Sequence, residues 1–150
     1  MKNSVLILLV SFAFSSCTFY EPEFKGGEDL KIGKLEGRTL QLTVGANVYN
    51  KNKFAIKVKP SDLNVYVEGD YMGKVHLDEK FKMKGNSETR ITAPMTVTLA
   101  EGALFKALRF ANKEKLQIRL AGDVKAGALL ITKKIHIDKT KIIDGINLGL

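Results

Sequence analysis

The chain has 150 residues, 45% of them hydrophobic and 27% charged, with a formal net charge of +8. That size and apolar content suit one globular domain with a real core and exclude a disordered chain. The single cysteine excludes an internal disulfide, and the positive balance leaves three readings open: nucleic acid, an anionic membrane or envelope surface, or a solvated face.

The chain opens with Met1, Lys2 and Asn3, continues through the apolar run Val5–Phe14 and reaches Ser15-Ser16-Cys17. A positive charge, a short apolar core and small residues before a cut make a secretory signal. A membrane-spanning helix needs about 20 apolar residues, and this run is shorter. Small residues ending directly in cysteine resemble the lipobox of bacterial lipoproteins. Phe14 and Ser16 depart from that pattern, which carries Leu and then Gly or Ala at these positions. The resemblance implies that residues 1–16 are a leader, that Cys17 is acylated, and that the protein sits in the cell envelope. It further implies the periplasmic side of a bacterial outer membrane. An odd cysteine exported without such a role would lack a partner. The membrane is then the first partner, with envelope proteins or an anionic surface as further ones. Export argues against nucleic acid.

Residues 17–29 contain Tyr20, Glu21, Pro22, Glu23, Gly26 and Gly27 and show no period. They read as a lipidated N-terminus and tether. From residue 30 to 150 the expected unit is one β domain. Leu40, Leu42 and Val44 alternate with polar residues, as do Phe54, Ile56 and Val58, then Leu63, Val65 and Val67. The same period returns at Leu116, Ile118 and Leu120 and at Ile135 and Ile137. Each run turns one apolar face inward, as antiparallel strands do. Weaker strands are expected near 73–83, 87–99 and 124–132. Pro60-Ser61-Asp62 separates two strands, and Gly69-Asp70, Gly85-Asn86 and Ala126-Gly127 read as hairpin turns. Seven or eight short strands at this spacing predict a mainly β fold, an antiparallel immunoglobulin- or fibronectin-like β-sandwich. One segment, Glu101–Lys115, breaks the period. Ala103, Leu104, Ala107, Leu108 and Ala111 recur at helical spacing, which predicts one short amphipathic helix packed on the sheets. Phe105 and Phe110 fall off that stripe. Lys51, Lys53, Lys57, Lys59, Lys80, Lys82 and Lys84 are scattered through turns and alternate strand positions, the pattern of a solvated face.

The stretch Ala46-Asn47-Val48-Tyr49-Asn50-Lys51-Asn52-Lys53-Phe54 and its continuation Leu63-Asn64-Val65-Tyr66-Val67-Glu68-Gly69-Asp70-Tyr71-Met72-Gly73 carry a resemblance. Together they resemble the type 2 late embryogenesis abundant family, the WHy (water stress and hypersensitive response) domain. Asn50 and Asn52 match the family's two turn asparagines, Phe54 the aromatic, and Gly69 and Gly73 the later glycines. Lys51 stands where the family carries Pro. The resemblance covers about residues 30–140. It implies a folded sandwich with a helix at one end and a stress-protective or envelope-associated role, and it brings no agreed catalytic site.

Chemistry-bearing constellations are sparse. His76 and His136 lie on separate strands without a second histidine or a cysteine at metal-ligand spacing. Asp78-Glu79 are successive strand residues and face opposite ways. No nucleophile elbow, phosphate loop or dinucleotide fingerprint occurs. The expectation is therefore no enzyme, no metal and no cofactor. The leading expectation is an anchored envelope module acting in interaction or in desiccation and stress protection. Its rivals are a binding module for a small apolar or acyl ligand and an accessory subunit of an envelope complex. A long strand edge free of lysine would favour the subunit, and edges guarded by Lys57 and Lys59 would oppose it.

Overall fold

A computed structural model describes residues 18–144. The expected Cys17 lipidation and residues 145–150 lie outside the described residues. Among the described residues ten strands and one helix follow one another. The strands are β1 (Glu23–Phe24), β2 (Asp29–Glu36), β3 (Thr39–Asn50), β4 (Ile56–Val58) and β5 (Asp62–Val67). Then come β6 (Asp70–Leu77), β7 (Phe81–Met83), β8 (Ser87–Leu99), helix α1 (Ala103–Phe110), β9 (Lys115–Ala128) and β10 (Ile131–Asp144). The fold is mainly β and every ladder is antiparallel.

All strands join one hydrogen-bonded sheet in the order β1-β3-β8-β6-β5-β9-β4-β7, with β2 on β3 and β10 on β9. The sheet curls over itself. Ile91 and Ala93 of β8 share one buried cluster with Ile56 and Val58 of β4, Met83 of β7 and Ala126 of β9. Val48, Phe54, Phe81, Met95, Val124 and Ile135 pack against it. The alternation read from sequence produces this directly, because Ile56 and Val58 are buried while Lys57 between them is exposed.

Gly85-Asn86 turns where expected, between β7 and β8; the other two hairpin turns are placed differently from the sequence expectation. In the β5–β6 hairpin Val67 faces Asp70, so the central residues are Glu68 and Gly69, at φ 52° and 85°. Gly69 is therefore the second central residue, as in a turn with two left-handed positions. Residues 115–128 form one long strand where two were expected, and the turn expected at Ala126-Gly127 falls at Leu129-Leu130, because Ala128 faces Ile131. Gly127 instead continues the ladder between Lys57 and Thr132.

Residues 18–29 are not a free tether. Glu23 and Phe24 pair with Tyr49 and Val48, the Lys25 amide donates to the Asn47 carbonyl at 2.8 Å, and the Asn47 amide donates to Gly26 at 2.9 Å. Arg90 reaches the Gly27 carbonyl and places Nη2 2.5 Å from an Asp29 carboxylate oxygen. The lack of a period misled because β1 is two residues long and exposed, too short to show an alternation.

Candidate functional site

The turn after β3 is built around two buried side chains. Asn50 is fully buried and Asn52 nearly so. Asn50 Nδ2 donates to the carbonyls of Phe54 at 2.9 Å and Met83 at 3.3 Å. Its Oδ1 accepts from the Asn52 backbone amide at 3.0 Å and from Asn52 Nδ2 at 2.9 Å. Asn52 in turn holds the N-terminal segment at both polar groups of one residue. Its Oδ1 accepts from the Tyr20 amide at 2.8 Å, and its Nδ2 donates to the Tyr20 carbonyl at 2.7 Å. The Asn52 carbonyl receives the Asn86 amide at 2.7 Å. The two asparagines thus clasp the incoming chain to the β3–β4 and β7–β8 turns. Buried amides without partners are costly, and here every one is used. Phe54 is half-buried against the core.

Gly69 and Gly73 lie in the β5–β6 hairpin, away from the clasp. Gly73 has φ 144°, and a Cβ there would sit 2.2 Å from the Thr98 carbonyl oxygen. Its role is close approach of β6 to β8. Glu68 links the hairpin to the start of β9: one carboxylate oxygen accepts from Lys113 Nζ at 2.7 Å and the other from the Gln117 amide at 2.7 Å. These bonds hold its carboxyl below the usual glutamate range, Lys113 first and the amide second.

Helix α1 departs from the expected packing. Only Ala103 is buried, while Leu104, Phe105 and Leu108 are 53%, 79% and 60% exposed. The face turned inward is Ala103-Lys106-Ala107-Phe110, with Lys106 Nζ 3.3 Å from the Tyr71 carbonyl. On the exposed side Arg109 pairs with Asp70 at 2.8 Å.

The histidines each face a carboxylate across a ladder. His76 Nδ1 is 2.7 Å from Asp62, and His136 Nδ1 is 3.0 Å from Asp123. Asp138 accepts from both Nε and Nη2 of Arg119 at 2.7 and 2.8 Å. Arg119 also lies 5.3 Å over the Tyr66 ring, and Tyr66 and Tyr71 tilt together at 5.5 Å. Tyr66 and Tyr71 are direct partners across the β5–β6 ladder. Among the described residues no group of three or more His, Cys, Asp and Glu could hold a metal ion. No described helix is long and apolar enough to cross a membrane.

The long edges are β2 and β10. Lys57 is not on an edge, because β4 lies between β7 and β9. Lys31 and Lys34 guard β2; Lys133, Lys134, Lys139 and Lys141 guard β10. Along β2 the core face is uncovered. Leu30 and Ile32 face Val44 and Leu42, which in turn face Ala93 and Met95 of the core, yet they are 58% and 65% exposed.

Residues 46–141 match the family model described as "Late embryogenesis abundant protein". The chain belongs to that family. The matched span holds both asparagines, Phe54, Gly69, Gly73 and the helix. No curated protein sequence matches the chain. A crystal structure of a protein from Archaeoglobus fulgidus is similar in fold at TM-score 0.55 and 14% identity, covering 83% of this chain and 98% of that one. A solution structure of an Arabidopsis thaliana protein has TM-score 0.47 and 15% identity, covering 87% and 88%.

Proposed function

We propose that the protein is a non-catalytic envelope lipoprotein, acylated at Cys17, that holds a rigid late-embryogenesis-type module close to a membrane. The observation that carries this reading is the apolar leader ending at the only cysteine. The clasp supports it, because Tyr20, close after Cys17, is fixed to the domain. Two or three acyl chains anchor stably where one is marginal. The curled sheet, whose β3–β8 and β4–β9 parts share one core, is read here as a variant of the immunoglobulin or fibronectin sandwich and the type 2, WHy-like branch of the family.

The module's work is interaction with envelope components or protection when water is withdrawn. Incorporation of radiolabelled fatty acid tests the anchor: label present in the native chain and lost in Cys17→Ala is the expected result, and an unlabelled chain retaining Met1 defeats it. Survival of a deletion strain after drying tests protection, and survival equal to the parent's refutes it.

A second reading, a site for an apolar or acyl ligand, is favoured by the uncovered Leu30 and Ile32 beside the core. Protection of these positions from solvent by a fatty acid, lost on Ile32→Asp, supports it; no protection at saturating ligand refutes it.

A further inference from the structure

The lysines that look scattered in sequence converge in the fold. In the β7-β4-β9-β10 part of the sheet, Ile56, Val58, Met83 and Ala126 point into the core. The alternate residues point out. Lys57 faces Lys82 across β4–β7 and Gly127 across β4–β9. Lys125 faces Lys134 across β9–β10. The Lys59 amide donates to the Lys125 carbonyl at 2.9 Å, and Lys59 Nζ reaches Thr132 Oγ1 at 3.2 Å on the same outer face. Lys57, Lys59, Lys82, Lys125 and Lys134 are all exposed, and none makes an ion pair among the described residues. Asp123, the acid nearest in the ladder, is engaged by His136.

Two of these contacts, Lys57–Lys82 and Lys125–Lys134, are like charges directly opposite, which destabilise a sheet. Nothing in the fold requires them. The adjoining hairpin breaks a second rule. Its two central residues are Leu129, at φ 57° where a glycine suits the geometry, and Leu130. Leu129 is 84% exposed, Leu130 fully exposed and Ile131 62% exposed. Departures from local rules without structural return are expected at functional sites.

The hairpin and the clasp share one end of the molecule. Ala128, just before the leucines, faces Ile56, four residues after Asn52, which holds Tyr20. The chain coming from Cys17 therefore meets the domain at the end where the leucines project. Exposed Phe19 and Tyr20 stand there too, with Lys51 Nζ 5.2 Å over the Tyr20 ring.

We propose that the Leu129–Ile131 hairpin tip and the lysine face of β4, β7, β9 and β10 form a docking surface for a bilayer rich in anionic phospholipid. The leucines enter the headgroup–acyl boundary while the lysines meet phosphate and keep their charges wet. Each basic residue near an anionic leaflet adds attraction that salt weakens. This contact goes beyond the acyl anchor and does not require it.

The chain has no tryptophan, so Leu130→Trp is a unique fluorescent reporter and Leu108→Trp, on α1, its control. The full-length protein is reconstituted with vesicles of phosphatidylcholine alone or mixed with phosphatidylglycerol. The expected result is a blue-shifted Leu130→Trp emission, shielded from aqueous iodide, only with phosphatidylglycerol, and an unchanged Leu108→Trp. Lys57→Glu with Lys125→Glu restores iodide access and lowers the anionic preference by about tenfold or more. That double variant turns both like-charge pairs into opposite-charge pairs, so the sheet is kept. Equal iodide access in both vesicle types overturns the proposal. Shielding that appears without lipid, on self-association or with an envelope protein, also overturns it and marks a protein interface. Association with both vesicle types and an exposed Leu130→Trp discards the hairpin and keeps the Cys17 anchor. Association with anionic vesicles alone, Leu130→Trp shielded, does the reverse.

Discussion

At the scale of single residues, the two asparagines do work that a hydrophobic side chain of equal size cannot. Asn50 joins three segments through one amide, so Asn50→Ala leaves the Phe54 and Met83 carbonyls and the Asn52 amide without partners. The expected cost is about 2–3 kcal/mol, read as a lower urea midpoint at unchanged m. Asn52→Ala keeps the core and releases Tyr20; faster hydrogen exchange of the Tyr20 amide with little change in midpoint is the expected signature. Gly73→Ala drives a Cβ into the Thr98 carbonyl and should cost about 2 kcal/mol or more in the same assay. Asp138 gives a pH prediction. Hydrogen bonding from Arg119, then its charge, holds the Asp138 carboxyl below the ordinary aspartate range. A carboxyl lowered by folding adds stability above its unfolded pKa and loses it as pH falls through the folded value. An NMR titration of Asp138 should therefore show a low midpoint that rises in Arg119→Met. Sequence shows both residues but not their meeting, which depends on β10 lying in register against β9.

At the scale of elements, strands were legible because a two-residue period survives in sequence wherever one face is buried. Ile56, Val58, Ile135 and Leu116 were all readable in this way. Turn positions were legible only in part: Gly85-Asn86 turns as read, but Gly127 suits a hairpin by type and sits in a ladder, and leucines close that turn instead. The helix was found by its period and misjudged in its rotation. Ala103 is its one buried residue, so the helical period does not say which flank of the stripe turns inward. The lysine face is the clearest case of information held in register. Alternate positions on four strands are unremarkable one by one, and only the pairing brings Lys57 to Lys82 and Lys125 to Lys134. These pairs predict that Lys82→Thr with Lys134→Thr stabilises the fold by a few tenths of a kcal/mol to about 1 kcal/mol at low salt. Thermal denaturation checks this, and the gain should shrink as salt screens the repulsion.

At the scale of the whole molecule, the two ends are differently dressed. One carries the helix with exposed Leu104, Phe105 and Leu108; the other carries the clasp, the lysines and the leucine hairpin. The family and the mainly β fold were within reach of the sequence, because asparagines, glycines and strand periods are local. The polarity of the domain was not, because it arises from which strand ends coincide. The proposed anchor and the hairpin act on the same end, so loss of acylation should leave a residual attraction to anionic vesicles that vanishes at high salt. Flotation of Cys17→Ser with and without Leu129→Asp and Leu130→Asp separates the two contributions.

The pair of bonds between Tyr20 and Asn52 also determines how the protein answers mechanical force. Tension carried to Tyr20 falls on that single side chain ahead of the β1 ladder and long before the buried strands. Two hydrogen bonds yield before a core does, so the joint behaves as a fuse. Its rupture lets out the stretch from Tyr20 to Pro22, about 10 Å at full extension, while Glu23 and Phe24 stay paired with β3, and leaves the folded body whole to snap back once the strain is gone.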